Sequence, residues 1–124
     1  MTPLVLIYNL DFDTENRLTL LCERQGIRVR RVQAWEYGQP IGALAGIPVG
    51  GSASPPARDG FSDRMLVMCH MLSPQLDAFL RGMREGGIPR VDLKAVLTPI
   101  NITWTSRRLR DELAREHEQM NKKH

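Results

Sequence analysis

A thiol and an imidazole stand side by side at Cys69 and His70, closing the apolar run "RMLVMCH". A cysteine thiolate next to a histidine base is the pairing that thiol nucleophiles use. Neighbouring residues of a strand point to opposite faces, however, so these two do not easily share one reaction centre. A cysteine at the end of an apolar strand also reads as a small buried hydrophobe, reactive only where a neighbour lowers its pKa. Neutral hydrogen-bonding groups and rings collect elsewhere: Asn9 and Asp11 after the first apolar run, Trp35, Tyr37 and Gln39 after the second, and Thr98, Asn101 and Trp104 after the last. Amides, hydroxyls and aromatic walls suit recognition of an uncharged or partly anionic ligand better than bond breaking. Each also has a purely architectural reading. Thr98-Pro99 can stop a strand, Asn101 can satisfy a turn, and Trp104 can fix the helix that follows it.

Established catalytic templates are missing. The chain has no glycine-rich dinucleotide or P-loop motif and no GxSxG elbow. Cys22 and Cys69 are far apart, without CxxC spacing, and His70, His117 and His124 are equally dispersed. No metal or other cofactor is therefore expected, and the cysteines fit a reduced intracellular chain better than a disulfide scaffold. A receiver-type phosphoacceptor would need acids at the ends of the first and third strands. Asp11 qualifies, but Cys69-His70 occupies the acceptor's place.

The elements that must position these groups follow from hydrophobic patterning. With 124 residues, 42% hydrophobic and 25% charged, the chain reads as one α/β domain spanning 1–124. "PLVLIYN" is a nearly continuous apolar run, as in a strand buried on both faces. A helix capped by Asp13 or Thr14 follows, with Leu18, Leu21 and Cys22 inward and Gly26 as its stop. "IRVRRVQ" is a half-covered strand whose arginines guard a sheet edge. Pro40 to Gly46 suits a short helix, and a flexible insertion is expected at about 47–62, where Pro, Gly and Ser dominate.

The second half repeats the alternation. The strand "RMLVMCH" precedes a helix capped at Ser73, with Leu76, Phe79, Leu80 and Met83 inward and Gly86-Gly87 at its end. "VDLKAVLTP" is the fourth strand, and a last helix over about 105–120 turns Leu109, Leu113, Ala114 and Met120 inward. Strands alternating with helices predict a three-layer α/β sandwich around a small, mostly parallel four-stranded sheet, order 2-1-3-4, of flavodoxin or receiver type. Ligands of such sheets bind beyond the carboxyl ends of the strands. That rule gathers Asn9, Asp11, Gln39, Thr98, Asn101 and Trp104 onto one polar-aromatic rim, with Cys69 and His70 beside it.

The segments "YNLD", "QPIGALAG", "MLVMCHMLSPQLDAFLRGMREGGI" and "LKAVLTPINITWTSRRLRDELAREHE" resemble a small bacterial α/β domain family catalogued only as a domain of unknown function. The resemblance spans nearly the whole chain apart from "PVGGSASPPARDG". It implies a small cytoplasmic α/β domain and transfers no catalytic residue. A net charge of +3, with basic clusters diluted by Asp111, Glu112, Glu116 and Glu118, gives no continuous phosphate-tracking surface, so nucleic acid is not an expected partner. No apolar run approaches a membrane span and no basic leader precedes the first strand. The leading expectation is a non-enzymatic cytoplasmic module that binds a small molecule or a protein at the rim. The alternatives are a thiol enzyme using Cys69, assisted by His70 or Asp11, and an interaction domain, including a homodimer, acting through the last helix with Arg107, Arg108 and Arg110 outward.

Overall fold

A computed structural model describes residues 2–49 and 60–121. Most of the insertion expected at 47–62 lies outside the described residues. The four strands are β1 (Leu4–Tyr8), β2 (Arg28–Arg31), β3 (Met65–Cys69) and β4 (Leu93–Val96), and the helices are α1 (Phe12–Gln25), α2 (Ile41–Leu44), α3 (Ser73–Glu85) and α4 (Ser106–Asn121). Single 3-10 turns at Ala34–Glu36 and Asn101–Thr103 lead into α2 and α4.

The strands form one open sheet of order β2-β1-β3-β4, as the patterning predicts. β1 and β3 are buried at every position and occupy the centre. Alternate residues feed two cores. Leu4, Leu6, Tyr8, Met65, Val67 and Cys69 face the layer of α2 and α4, where Ile41, Leu44 and Leu109 are buried. Val5, Ile7, Leu66 and Met68 face α1 and α3, where Leu18, Cys22, Phe79 and Met83 are buried. Full burial of each such apolar side chain is worth roughly 1.5–3 kcal/mol, so two filled faces are what make this short sheet stable.

The strand directions depart from expectation. β1 pairs with β2, and β3 with β4, in parallel, but the central β1–β3 pair is antiparallel, Leu6 opposite Val67. The sheet is mixed, whereas the flavodoxin and receiver order is parallel throughout. The reason lies between β2 and β3. Val49 stands beside Gly42 and Ile102, while Gly60 stands beside Ala34 and Tyr37, at the opposite end of the sheet. Gly60 thus stands at the edge where β2 ends, and β3 starts there and runs against β1. A β3 parallel to β1, as the patterning predicts, would have required that stretch to cross the sheet once.

The mixed sheet has an internal pseudo-two-fold axis through the Leu6·Val67 pair. Leu4 corresponds to Met65, Asn9 to His70, Leu18 to Phe79, and Gly26 to Gly87. Asn9 (φ 58°) and His70 (φ 61°) share a left-handed backbone, and so do Gly26 (φ 70°) and Gly87 (φ 66°). Val32 N donates to Ile7 O in one half and Leu97 N to Met68 O in the other. Pro40 and Thr105, themselves equivalent, pair with each other across the axis.

Local details refine the helix ends. Asp11, not Asp13 or Thr14, caps α1, accepting from Thr14 N at 3.1 Å and Thr14 Oγ1 at 2.7 Å. Leu72 rather than Ser73 precedes α3, and Gln75 Oε1 accepts from the Leu72 N–H instead of a serine cap. Met120 is 69% exposed rather than inward, because α4 outruns the short β4 that it covers.

Candidate functional site

The antiparallel centre divides the expected rim. The carboxyl ends of β1 and β2 reach one edge, and those of β3 and β4 reach the other. Asn9 and Asp11 stand with Tyr37 at the first edge, and His70 and Thr98 stand at the second. Gln39 and Trp104, a further equivalent pair, flank the Pro40–Thr105 bridge between them. One rim holding all six residues does not exist in this fold.

At the Asn9 edge the polar groups serve the chain itself. Asn9 Nδ2 donates to Phe61 O at 2.8 Å and Asp63 O at 3.0 Å, and the Tyr37 hydroxyl donates to Asn9 Oδ1 at 3.4 Å. The Thr14 hydrogen bonds that make Asp11 a cap also hold its carboxyl below the usual range. Arg31 makes a two-pronged ion pair with Glu15 across this edge and depresses the Glu15 pKa. The remaining cavity is about 210 Å³.

The His70 edge is built on the same frame. Thr98 N donates to Asn101 Oδ1 at 2.9 Å, matching Gln33 N to Glu36 Oε1 at 3.0 Å in the other half. The partners differ as charge requires. Buried Glu36 needs Arg30, at 2.6 Å, to neutralise it. Asn101 carries its own donor, Nδ2, which reaches Val96 O at 3.0 Å, and the Arg30 position is Ala95. Thr98 Oγ1 accepts from Ile100 N and Asn101 N. Asn101 thus shapes the turn from within. Trp104 is half-buried against the core, with the Arg108 guanidinium 4.3 Å from its ring centre.

A groove of about 910 Å³ opens at this edge. His70, Thr98 and Gln75 line it among Met71, Leu72, Val96, Leu97, Pro99, Ile102, Ile47 and Pro3. His70 Nε2 lies 3.1 Å from Ala45 O; facing a carbonyl, that nitrogen carries the proton, and a neutral ring keeps Nδ1 as an acceptor. Among the described residues, His70 is the one titratable side chain that lines the groove. Glu15 and Arg31, which cross the other edge, correspond here to Leu76 and Val96. The apolar members escaped the sequence reading, which sought polar residues. The signal lay in an apolar residue left on the surface: Leu72, just ahead of α3, is 74% exposed, where such a position is usually polar.

Cys69 is the counterpart of Tyr8 and lies fully inside the core. Burial pushes its thiol, like that of Cys22, up to about 12, and its sulfur points to Val67 O at 3.7 Å. His70 turns to Ala45, not to this thiol. On α4, Arg110 engages Asp63 and Asp111 of its own chain, and Arg108 covers Trp104. Among the described residues, no three His, Cys, Asp or Glu side chains gather as metal ligands would, and no helix is long and apolar enough to cross a membrane.

No curated protein and no solved structure matches the chain. A family model does match, from the residue before β3 to the last turn of α4, which is the second of the two equivalent halves. The loop Thr98–Trp104 falls inside the match; Gln39 to Gly46 falls outside it, so the resemblance expected over nearly the whole chain is shown for this half. The family whose model residues 64–120 match is the Domain of unknown function (DUF3783).

Proposed function

We propose that this chain is a non-enzymatic binding or regulatory module whose ligand seat is the groove at the His70 edge. One observation carries the reading. Two equivalent frames end the two halves, and among the described residues charged side chains cross only the first. With Leu76 and Val96 in place of Glu15 and Arg31, the second frame offers an apolar, neutral recess, the usual character of a ligand site. The polar-aromatic rim becomes, in this reading, an apolar cleft edged by His70, Thr98 and Gln75. The buried, high-pKa thiols favour binding over thiol chemistry, and, unpaired as they are, they suit a reducing compartment such as the cytoplasm.

Indole, an uncharged aromatic probe, tests the seat. Titrated into ¹⁵N-labelled protein, it shifts the amide signals of His70, Val96 and Thr98 saturably, and the Val96→Arg variant, which places a guanidinium where Arg31 stands in the other half, abolishes the effect. At a hundred times its Kd a ligand adds about 2.7 kcal/mol of stability, so a rise in Tm accompanies saturation. Shifts centred elsewhere, or unchanged in Val96→Arg, sink the reading.

A further inference from the structure

At the Asn9 edge the chain itself shows what this frame can hold. Residues 60–64 run there without regular hydrogen-bonded structure before β3 begins. Phe61 stacks on Tyr37 with ring centres 4.4 Å apart and lies 5.8 Å from Tyr8. Asn9 Nδ2 grips two of the segment's carbonyls, Phe61 O and Asp63 O. Gly60 rests on Ala34 and Tyr37. One side-chain amide spanning carbonyls two residues apart, beside a slot for the ring of the first of those residues, is a way of holding an extended peptide.

The pseudo-two-fold axis carries each part of that holder to the other edge. Asn9 becomes His70, Ala34 becomes Pro99, Tyr37 becomes Ile102, and Arg64 becomes Pro3. All four counterparts line the groove. The seat of Phe61 in the first half is thus the groove of the second.

We propose that the groove takes an extended, uncharged peptide segment of a partner protein, with one bulky apolar side chain, aromatic by preference, seated against Pro99 and Ile102. This rests on the groove being the ligand seat, as argued above. The polar complement fits peptide amides. His70 Nδ1, the ring nitrogen that does not face Ala45 O, is left to meet a polar group of the peptide backbone. Gln75 has its oxygen engaged by Leu72 N and its NH₂ group left to donate, and Thr98 Oγ1 accepts two backbone N–H groups while its own proton can serve a peptide carbonyl. Charge is the point of difference between the halves. In the first, Asp63 of the held segment is met by Arg110 at 2.9 Å; the counterpart of Arg110 is Ala45. A charged side chain entering the groove would lose water and find no opposite charge, so an uncharged segment is selected.

The experiment titrates the ¹⁵N-labelled full chain with the blocked peptide acetyl-Gly-Phe-Ser-amide. Its order follows Gly60, Phe61 and Ser62 and stops there, because the places of Asp63 and Arg64 are taken in this half by the chain's own Thr2 and Pro3. Saturable shifts are expected at His70, Val96 and Thr98 and not at Asn9. Replacing the peptide's Phe by Gly, or Val96 by Arg in the protein, weakens binding at least ~10-fold by removing the apolar payload or introducing an unpaired charge. Should Val96→Arg fail to fold, the exposed Gln75→Ala change provides the same comparison with a smaller loss. The inference is overturned if the peptide does not saturate, if the Phe-free peptide binds equally, or if the shifts map to another surface. If indole occupies the groove and the peptide does not, the peptide class is wrong and the ligand seat stands. If neither binds, both fall.

Discussion

The two halves of this molecule share a frame and differ in what they do with its open end. In the first, Glu15, Arg31 and Asn9 close the edge with an ion pair and with hydrogen bonds to residues 61 and 63. In the second, Leu76, Val96 and His70 occupy the same places, and a groove remains. The backbone at the two ends is nearly interchangeable, down to the left-handed residue after each central strand. What separates a closed end from an open one is therefore side-chain identity on a common scaffold. An open groove needs only that its half of the duplicated frame be left uncharged and unfilled.

The comparison can be broken most forcefully where the halves touch. α1 meets α3 at Leu21 and Gly82, which are equivalent positions. A Cβ on Gly82 would lie 2.7 Å from Leu21 Cδ1, so Gly82→Leu overpacks the contact and costs about 1–3 kcal/mol. Adding Leu21→Gly exchanges the two residues across the axis and recovers most of that loss. Urea unfolding of the single and double variants measures this, and a double variant no better than Gly82→Leu alone would refute the equivalence. A milder test uses the helix stops. Gly26 and Gly87 share the left-handed φ and leave open space for a Cβ. Alanine at either should cost about 1–2 kcal/mol, and clearly unequal losses of chemical stability would show that the halves are not alike in their local strain.

The smallest effect belongs to the closing ion pair. Arg31, by hydrogen-bonding Glu15, lowers the pKa of its carboxyl in the folded chain. A depressed carboxylate contributes stability that is complete above its unfolded pKa of about 4.3 and is lost as pH falls through the lower folded value. Arg31→Val should accordingly lower Tm slightly at pH 7 and by less as the solution is acidified below pH 4. At pH 7 the indole titration also distinguishes the edges. If charge alone keeps the first edge shut, the Arg31→Val, Glu15→Leu double variant gains a second set of shifts around Asn9. If the new shifts do not appear, Phe61 is the decisive plug.

Much of the positioning was legible in the chain. The run Leu4–Tyr8 and the run Met65–Cys69 are apolar at every position, which requires a strand covered on both faces, and so placed both in the centre of a sheet flanked by helices. The arginines of β2 put it at an edge. The site was half legible. His70 and Thr98 do line the cleft, and Asn101 shapes it, but Asn9 and Asp11 were assigned to the same rim and stand at the other end. Trp104, the most conspicuous ring of its loop, stands away from the groove-lining residues, half-buried under Arg108.

The sequence by itself determined the element order, the two covered faces and the neutral character of the residues after β4, because burial period, turn residues and charge are local properties. Only the tertiary structure decided the direction of β3, since a strand's side-chain pattern reads the same in either direction and nothing local records how often a connection crosses the sheet. That single reversal created the axis, separated Asn9 from His70, and turned one expected rim into a closed end and an open one.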